Sequence, residues 1–251
     1  MKAVLLGTGT SYPDPLRVQS GILIEEGNQR ILLDIGSGIL HRLTQLEIDI
    51  NTIDSVFISH FHIDHCADFL PLCQSMWLSG HDKTLNLFAP PTVREWSRGM
   101  YDIAFKYLRE KILIQTTVLN ENHVIPIGNL SVVAGLTIHG NNDTRAFKVE
   151  HEGKTLTYSS DTAPCRDIID LAKGTDILIH ECNWLDGPHP EGIHTSPSEL
   201  ALIVEEINPS TVVLTHISPE VVKHKDKVIE IVSMRSNAEV VLGEDLMILE
   251  L

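Results

Sequence analysis

Short apolar runs rich in β-branched residues recur along the chain, with glycine and polar residues between them. Runs of this length and composition predict β-strands. The predicted strands cover residues 3–6, 21–25, 30–34, 55–59, 85–89, 130–139, 155–160, 176–180, 211–215 and 239–242. Because strands come in succession early and in the middle of the chain, hairpins are expected there.

Two segments instead show apolar residues spaced three or four positions apart, which predicts amphipathic helices. The first stripe is Phe69, Leu72, Cys73 and Met76, and the second is Leu200, Ile203, Val204 and Ile207. Pro197 suits the first turn of the second helix, and Asn208 and Pro209 favour its end. Strands alternating with such helices predict an α/β domain in which helices cover packed sheets. Without a linker-like segment or a repeat, we expect residues 1–251 to form one domain.

The 251 residues carry a formal charge of −15, which disfavours loose electrostatic binding to nucleic acid. The first residues, 1–7, lack a secretory signal pattern, and no apolar run is long enough to span a bilayer. We therefore expect a cytoplasmic protein with reduced thiols at Cys66, Cys73, Cys165 and Cys182. The unusual count is that of histidine, at 13.

Three of these histidines and one aspartate follow the predicted strand at 55–59 in the pattern His-x-His-x-Asp-His, formed by His60, His62, Asp64 and His65. Alternate side chains of an extended segment share a face, so the first three can point the same way, and His65 can turn in as a helix begins. Imidazole and carboxylate ligands together suit zinc, iron or manganese. This dense set predicts a metal site.

Further metal-binding residue types close three other apolar strands. His139, Asp161 and His216 each stand where a predicted strand gives way to a loop. Ligands gather at such strand ends in α/β sheets. We therefore expect these three side chains to complete the site.

These motifs resemble those of the metallo-β-lactamase superfamily over nearly the whole chain. Besides the histidine motif, the resemblance rests on Gly7-Thr8-Gly9-Thr10, Leu33-Asp34-Ile35-Gly36 and Gly243-Glu244-Asp245-Leu246. It implies a four-layer αββα sandwich with mixed sheets. It also implies two metal ions, zinc with iron or manganese as alternatives, one on His60, His62 and His139, the other on Asp64, His65 and His216, with Asp161 between them.

Two divalent ions about 3.5–4 Å apart can polarise a phosphoryl oxygen and hold a bridging hydroxide as the nucleophile. On this hypothesis Asp64 is catalytic as well as a ligand, because it would hold both a metal ion and the attacking water. A covalent role for Ser59, Cys66 or Cys182 is then unnecessary. Whether the last two tune the site or only pack is left open.

The second half of the chain is similar to the ribonuclease Z branch, which processes the 3′ ends of precursor transfer RNAs. In that branch a glutamate and a histidine at the positions of Glu181 and His194 protonate the leaving ribose oxygen. General acid catalysis of this kind typically contributes 10²–10⁴-fold. The alternative is that both residues only hydrogen-bond to ligand histidines.

The chain also departs from that branch. Cys182 and Asn183 replace the usual Ala-Thr, and only the 21 residues 140–160 separate His139 from Asp161. The long basic arm that grips transfer RNA in full-length ribonuclease Z is missing from this interval. A candidate helix at 92–111 carries the basic residues Arg94, Arg98, Lys106, Arg109 and Lys111. Its favoured interpretation is an amphipathic surface helix with solvated charges.

The leading hypothesis is therefore a cytoplasmic, dinuclear zinc-dependent phosphodiester hydrolase resembling ribonuclease Z without its arm. RNA is a candidate substrate, and no membrane partner is expected. A small cyclic or linear phosphodiester is the alternative substrate, and lactone or thioester hydrolysis on the same ions is a second alternative. A scaffold without metals is disfavoured because no ligand is substituted. A homodimer is implied by the resemblance alone.

Overall fold

Two seven-stranded sheets face each other in the computed structural model, which describes all residues from Met1 to Leu251. The strands are β1 (Lys2–Gly7), β2 (Gly21–Glu26), β3 (Gln29–Leu33), β4 (Ser55–Phe57), β5 (Thr84–Ala89), β6 (Leu113–Val118), β7 (His123–Ile127), β8 (Leu130–Leu136), β9 (Arg145–His151), β10 (Lys154–Tyr158), β11 (Ile177–Glu181), β12 (Thr211–Thr215), β13 (Glu239–Leu242) and β14 (Met247–Glu250). The helices are α1 (Ile39–Gln45), α2 (Ile63–Cys66), α3 (Phe69–Leu78), α4 (Val93–Ser97), α5 (Arg166–Ala172), α6 (Pro197–Ile207), α7 (Pro219–Lys223) and α8 (Lys225–Ser233). None of them combines the length and apolar character that crossing a bilayer requires.

Each sheet mixes antiparallel and parallel pairs, as predicted. The first has the order β14-β1-β2-β3-β4-β5-β6 and the second β13-β12-β11-β10-β9-β8-β7. In the first sheet, β3, β4, β5 and β6 run parallel, and in the second β10, β11, β12 and β13 do. The two halves of the chain thus repeat one plan, with antiparallel strands followed by parallel ones.

Alternating side chains of the strands build the layers. In β1, Ala3 and Leu5 belong to the core between the sheets, whereas Val4 and Leu6 pack with α1 and α3. A third core joins the outer face of β12 to α6 and α8. Strands buried on both faces are continuous apolar runs, which is why they could be predicted from the sequence. The predicted four-layer αββα sandwich is confirmed.

The structure differs from the prediction in several segments. The candidate helix at 92–111 is wrong as a single helix: α4 is followed by a π-helical turn at Arg98–Ala104 and a 3₁₀ turn at Lys106–Leu108. Phe105 breaks the helix, because its backbone is non-helical (φ −123°, ψ 49°) and its N–H donates to the Met100 carbonyl, five residues back. Strands β6, β7, β9 and β14 were not among the predicted strands. All four mix polar with apolar residues, and β6, β7 and β14 lie at sheet edges.

Candidate metal centre

The His-x-His-x-Asp-His motif lies where β4 ends and α2 begins. His62, the residue before α2, has an extended backbone (φ −68°, ψ 150°). Asp64 and His65 occupy the first turn of the helix and are buried. The strand-to-helix change inside six residues therefore directs all four side chains to one place.

The other three predicted ligands arrive from the second sheet. His139 follows β8, Asp161 follows β10 and His216 follows β12. His216 and Ser160, the residue before Asp161, have left-handed backbones, with φ of 49° and 53°. Non-glycine residues in this region are strained and cluster at functional sites, where the surrounding fold holds them.

Asp161 stands at the middle of the seven side chains, which we call the histidine–aspartate cluster. Its Oδ2 lies 3.9 Å from His60 Nε2 and 3.7 Å from His139 Nε2. Its Oδ1 lies 3.3 Å from His65 Nε2 and 3.4 Å from His216 Nε2. One carboxylate thus divides its two oxygens between two pairs of imidazoles.

The remaining two residues complete a group on each side. His62 Nδ1 lies 3.1 Å from His139 Nε2, and Asp64 Oδ2 lies 3.2 Å from His216 Nε2. The structure therefore groups His60, His62, His139 and Asp161, and separately Asp64, His65 and His216, with ligand atoms within 4.8 Å of one another in each group. This is the division that the resemblance implies.

The donor atoms fit divalent cations. Three of them, His60 Nε2, His65 Nε2 and Asp161 Oδ1, are buried without a hydrogen-bond partner. Buried polar atoms normally have a partner, so these three favour an ion between them. Imidazole nitrogens and carboxylate oxygens are the ligands that zinc, iron and manganese accept. That the seven residues bind metal stays a prediction.

The electrostatics of the centre keep its carboxylates ionised and His60 neutral, but they favour a protonated His65. Burial lowers the pKa of His65, and the Asp161 and Asp34 carboxylates outweigh burial and raise it well above its usual value. Burial lowers the pKa of His60 and thereby keeps its imidazole neutral. Burial raises the pKa of the Asp161 carboxyl, but the nearby His216 and His65 outweigh it, so that pKa lies well below its usual range. Burial likewise raises the pKa of Asp64, but the hydrogen bond from His216 and the nearby His65 together outweigh it, so that this pKa also lies below its usual value.

Asp34 supports the cluster from behind, a role that sequence reasoning missed although it singled out the surrounding turn. Its buried carboxylate lies 2.7 Å from His65 Nδ1 and accepts hydrogen bonds from the Ser59 N–H and hydroxyl and from the Tyr158 hydroxyl. A hydrogen bond of this kind fixes which nitrogen of His65 faces the centre. Gly36 packs so closely that a Cβ there would lie 2.1 Å from the Asp64 carbonyl oxygen.

We expect Asp34→Asn to weaken metal binding by about 10- to 100-fold, because the amide holds the His65 ring less firmly than a carboxylate does. Competition with a chromophoric chelator would measure the affinity. Asp176→Asn is the matched control, since Asp176 bonds to Thr155 and touches no residue of the cluster. Equal affinity in wild type and Asp34→Asn would contradict the prediction.

The half-buried His194 and the buried Glu181 form a pair beside the cluster. His194 Nδ1 lies 2.8 Å from Glu181 Oε1, and the backbone N–H groups of Thr162, Asn183 and Thr195 also donate to this carboxyl. The hydrogen bonds of Glu181 therefore go to His194 and the backbone and not to a ligand histidine. Burial, together with Asp161, raises the pKa of Glu181, whereas burial lowers that of His194.

His194 also lies beside two of the proposed metal ligands, although neither predicted ligand set includes it. One of its ring nitrogens lies within 4.8 Å of the ligand atoms of Asp161 and His216. Because Nδ1 faces Glu181, the ring presents Nε2 to the cluster side. A local signal for this proximity is absent from the sequence, since the three residues come from different loops.

The cluster opens into a cavity of about 760 Å³. His62, Asp64, His139, Asp161, His194 and His216 lie on its wall, and none of its sixteen lining residues is Lys or Arg. Tyr12, which is 70% exposed, is the single Phe, Tyr or Trp residue that lines this cavity. The cavity is thus large enough for a small organic ligand and supplies no fixed positive side chain.

The cysteines beside the motifs are buried in apolar cores. Burial raises the pKa of the Cys66 thiol to about 12 and that of Cys182 still further. Thiolates are the nucleophilic and metal-binding form, so burial favours a packing role for both residues. The basic residues Arg94, Arg98 and Arg109 line a separate cavity of about 460 Å³ that shares no residue with the one at the cluster.

Comparisons with known proteins agree with this fold. The family model described as anti-Pycsar protein Apyc1 matches residues 1–236. Ribonuclease Z of Saccharolobus solfataricus is 28% identical, with 85% of this chain and 87% of that protein aligned. Among solved structures, the metallo-β-lactamase fold protein YhfI from Bacillus subtilis has a TM-score of 0.86 at 23% identity, covering 99% of this chain and 98% of that one. Human tRNase Z, short form, has a TM-score of 0.78 at 22% identity, covering 100% and 99%.

Proposed function

Because the chain belongs to the family of the anti-Pycsar protein Apyc1 and is a metal-dependent phosphodiester hydrolase of the metallo-β-lactamase superfamily, we propose that it cleaves small phosphodiesters with two bound zinc ions. The observation that carries the proposal is the central carboxylate of Asp161, whose two oxygens face two different imidazole pairs. The residues proposed as ligands are His60, His62, Asp64, His65, His139, Asp161 and His216.

Bound divalent ions would polarise a phosphoryl oxygen and acidify a water molecule so that it can attack phosphorus. Side chains of the protein would orient the water and protonate the leaving group. Asp64, held by His216, would orient the attacking water through its carboxylate. His194, as the imidazolium, would give the proton on Nε2 to the leaving oxygen and become neutral, and Glu181 would hold Nδ1 so that the ring faces that oxygen.

The cavity favours a small substrate over a nucleic acid chain. Without a Lys or Arg on its wall, the cavity can neutralise one phosphodiester only through bound metal ions. The formal charge of −15 adds repulsion against a long polyanion. The 21 residues at 140–160 contain the β9–β10 hairpin and no extended arm.

A precursor transfer RNA is the second candidate substrate, supported by the relatives named Ribonuclease Z. Hydrolysis of a lactone or thioester would use the same ions. The Glu181–His194 pair favours a phosphodiester over a thioester, because a leaving alkoxide gains more from a proton donor than a leaving thiolate does.

Parallel assays should separate the candidates. We expect cleavage of bis(p-nitrophenyl) phosphate and of a 3′,5′-cyclic nucleotide, and no cut at the 3′ end of a precursor transfer RNA, because only the small esters fit the cavity without cationic support. Elemental analysis of the same sample would identify the metals, for which iron and manganese are alternatives. Efficient RNA processing with poor turnover of small esters would reverse the choice of substrate. Light scattering would test the homodimer.

A further inference from the structure

Trp184 lies between two histidine rings in the loop that connects β11 to α6. Its ring centroid is 5.1 Å from that of His194, with the planes at 86°, and 4.5 Å from that of His189, at 36°. The indole is half-buried. Such perpendicular and tilted contacts are favourable geometries for aromatic pairs. Trp184 therefore makes a defined contact with the proposed proton donor.

The loop around this indole is fastened to the start of α6. Asp186 accepts hydrogen bonds from the backbone N–H and the hydroxyl of Ser198. Glu199 accepts one from the Ser196 N–H, and its carboxylate lies 3.8 Å from His189 Nε2. The imidazole of His189, which flanks Trp184, is thus itself held in place.

The imidazole of His194 needs such a support. Its single hydrogen bond within the pair, from Nδ1 to Glu181, fixes one atom of the ring but leaves the plane free to tilt about that bond. The rings of His139 and His216, 4.8 Å and 5.4 Å away, flank it on the cluster side. Trp184 supplies a third contact that is almost perpendicular to the ring.

We propose that Trp184 is a positioning residue that fixes the ring plane of His194, so that Nε2 points at the leaving oxygen of the substrate. The inference rests on the proposed function, because it assigns a support to the proton donor of that reaction. Proton transfer requires the donor within hydrogen-bond reach and correctly oriented, and small misplacements of catalytic groups cost large factors in rate. Trp184 does not itself touch the reacting atoms.

The test compares substrates with poor and good leaving groups. A 3′,5′-cyclic nucleotide expels a ribose alkoxide, which needs a proton, whereas bis(p-nitrophenyl) phosphate expels a stable phenolate, which does not. We expect Trp184→Leu to lower kcat for the cyclic nucleotide by about 10- to 100-fold, at or below the range of a general acid. KM for that substrate and kcat for the aryl ester should change far less. Trp184→Phe should restore most of the lost kcat.

Trp77→Leu is the matched control, because Trp77 is also half-buried but contacts Tyr107 and Lys111. It should leave both reactions unchanged. Equal losses on both substrates in Trp184→Leu, or a loss of bound metal, would assign Trp184 a purely structural role and overturn the inference. Full cyclic nucleotide turnover in that variant would overturn it too. If the wild-type protein cleaves neither ester, the proposed function fails and the inference with it.

Discussion

Asp161→Ala is expected to abolish hydrolysis, lowering kcat/KM for bis(p-nitrophenyl) phosphate by about 10³-fold or more, since metal ions supply several kcal/mol of the catalysis. The physical reason is that this one carboxylate faces both imidazole pairs. Without it, neither ion has its shared ligand, and His60 and His139 lose the carboxylate that faces them. The measurement is steady-state kinetics combined with the metal content of the purified variant, which we expect to fall.

The matched control for this prediction is Asp170→Ala. Asp170 is an exposed carboxylate that pairs with Arg166 and Lys173 on α5 and lies outside the cluster. Its removal should alter neither turnover nor metal content, because exposed ion pairs contribute little. Circular dichroism would establish that Asp161→Ala is folded. A folded Asp161→Ala protein that keeps both its metal content and its turnover would refute the two-metal proposal.

His194→Ala is expected to separate two classes of phosphodiester. Turnover of a 3′,5′-cyclic nucleotide should fall by about 10²–10⁴-fold, the typical contribution of a general acid. Turnover of bis(p-nitrophenyl) phosphate should fall much less, because a phenolate leaves without a proton. Metal content should be unchanged, since His194 is bonded to Glu181 and belongs to neither proposed ligand set. Kinetics on both substrates with one enzyme preparation would measure the ratio.

His224→Ala serves as control for a histidine outside the centre, because His224 is exposed, does not line the cavity and makes its side-chain polar contacts with Glu220 of its own segment. If His194→Ala instead lost the same factor on both esters together with its metal, His194 would be a metal ligand rather than a proton donor. Unimpaired turnover of the cyclic nucleotide would remove the reason for preferring a phosphodiester over a thioester.

Much of the fold was predictable because strands that are buried on both faces form continuous apolar runs in the sequence. The runs that became β1 and β12 are apolar at nearly every position, and the stripe at Leu200 became α6 between Pro197 and Asn208, as expected. The prediction of a single helix around Phe105 was wrong for a different reason. Its apolar spacing suits a helix, but the local backbone turns away from helical geometry at that residue.

The candidate site was likewise only partly predictable from the sequence. Its proposed metal ligands could be predicted from residue type and position at strand ends, and Glu181 and His194 from the resemblance. The roles of Asp34 and Trp184 could not be predicted in either way. Asp34 reaches His65 across 31 positions of the chain, and Trp184 meets His194 only because its loop is fastened to α6. Neither contact leaves a spacing that can be read along the chain.

The sequence by itself determined which donor atoms are available and how His60, His62, Asp64 and His65 are spaced, because bond geometry fixes distances over six residues. Only the tertiary structure decided that His139 meets His62 across 77 positions and that His216 meets Asp64 across 152. Those distances depend on how two sheets pack face to face, and packing is set by the combined burial of many side chains rather than by any short stretch of the chain.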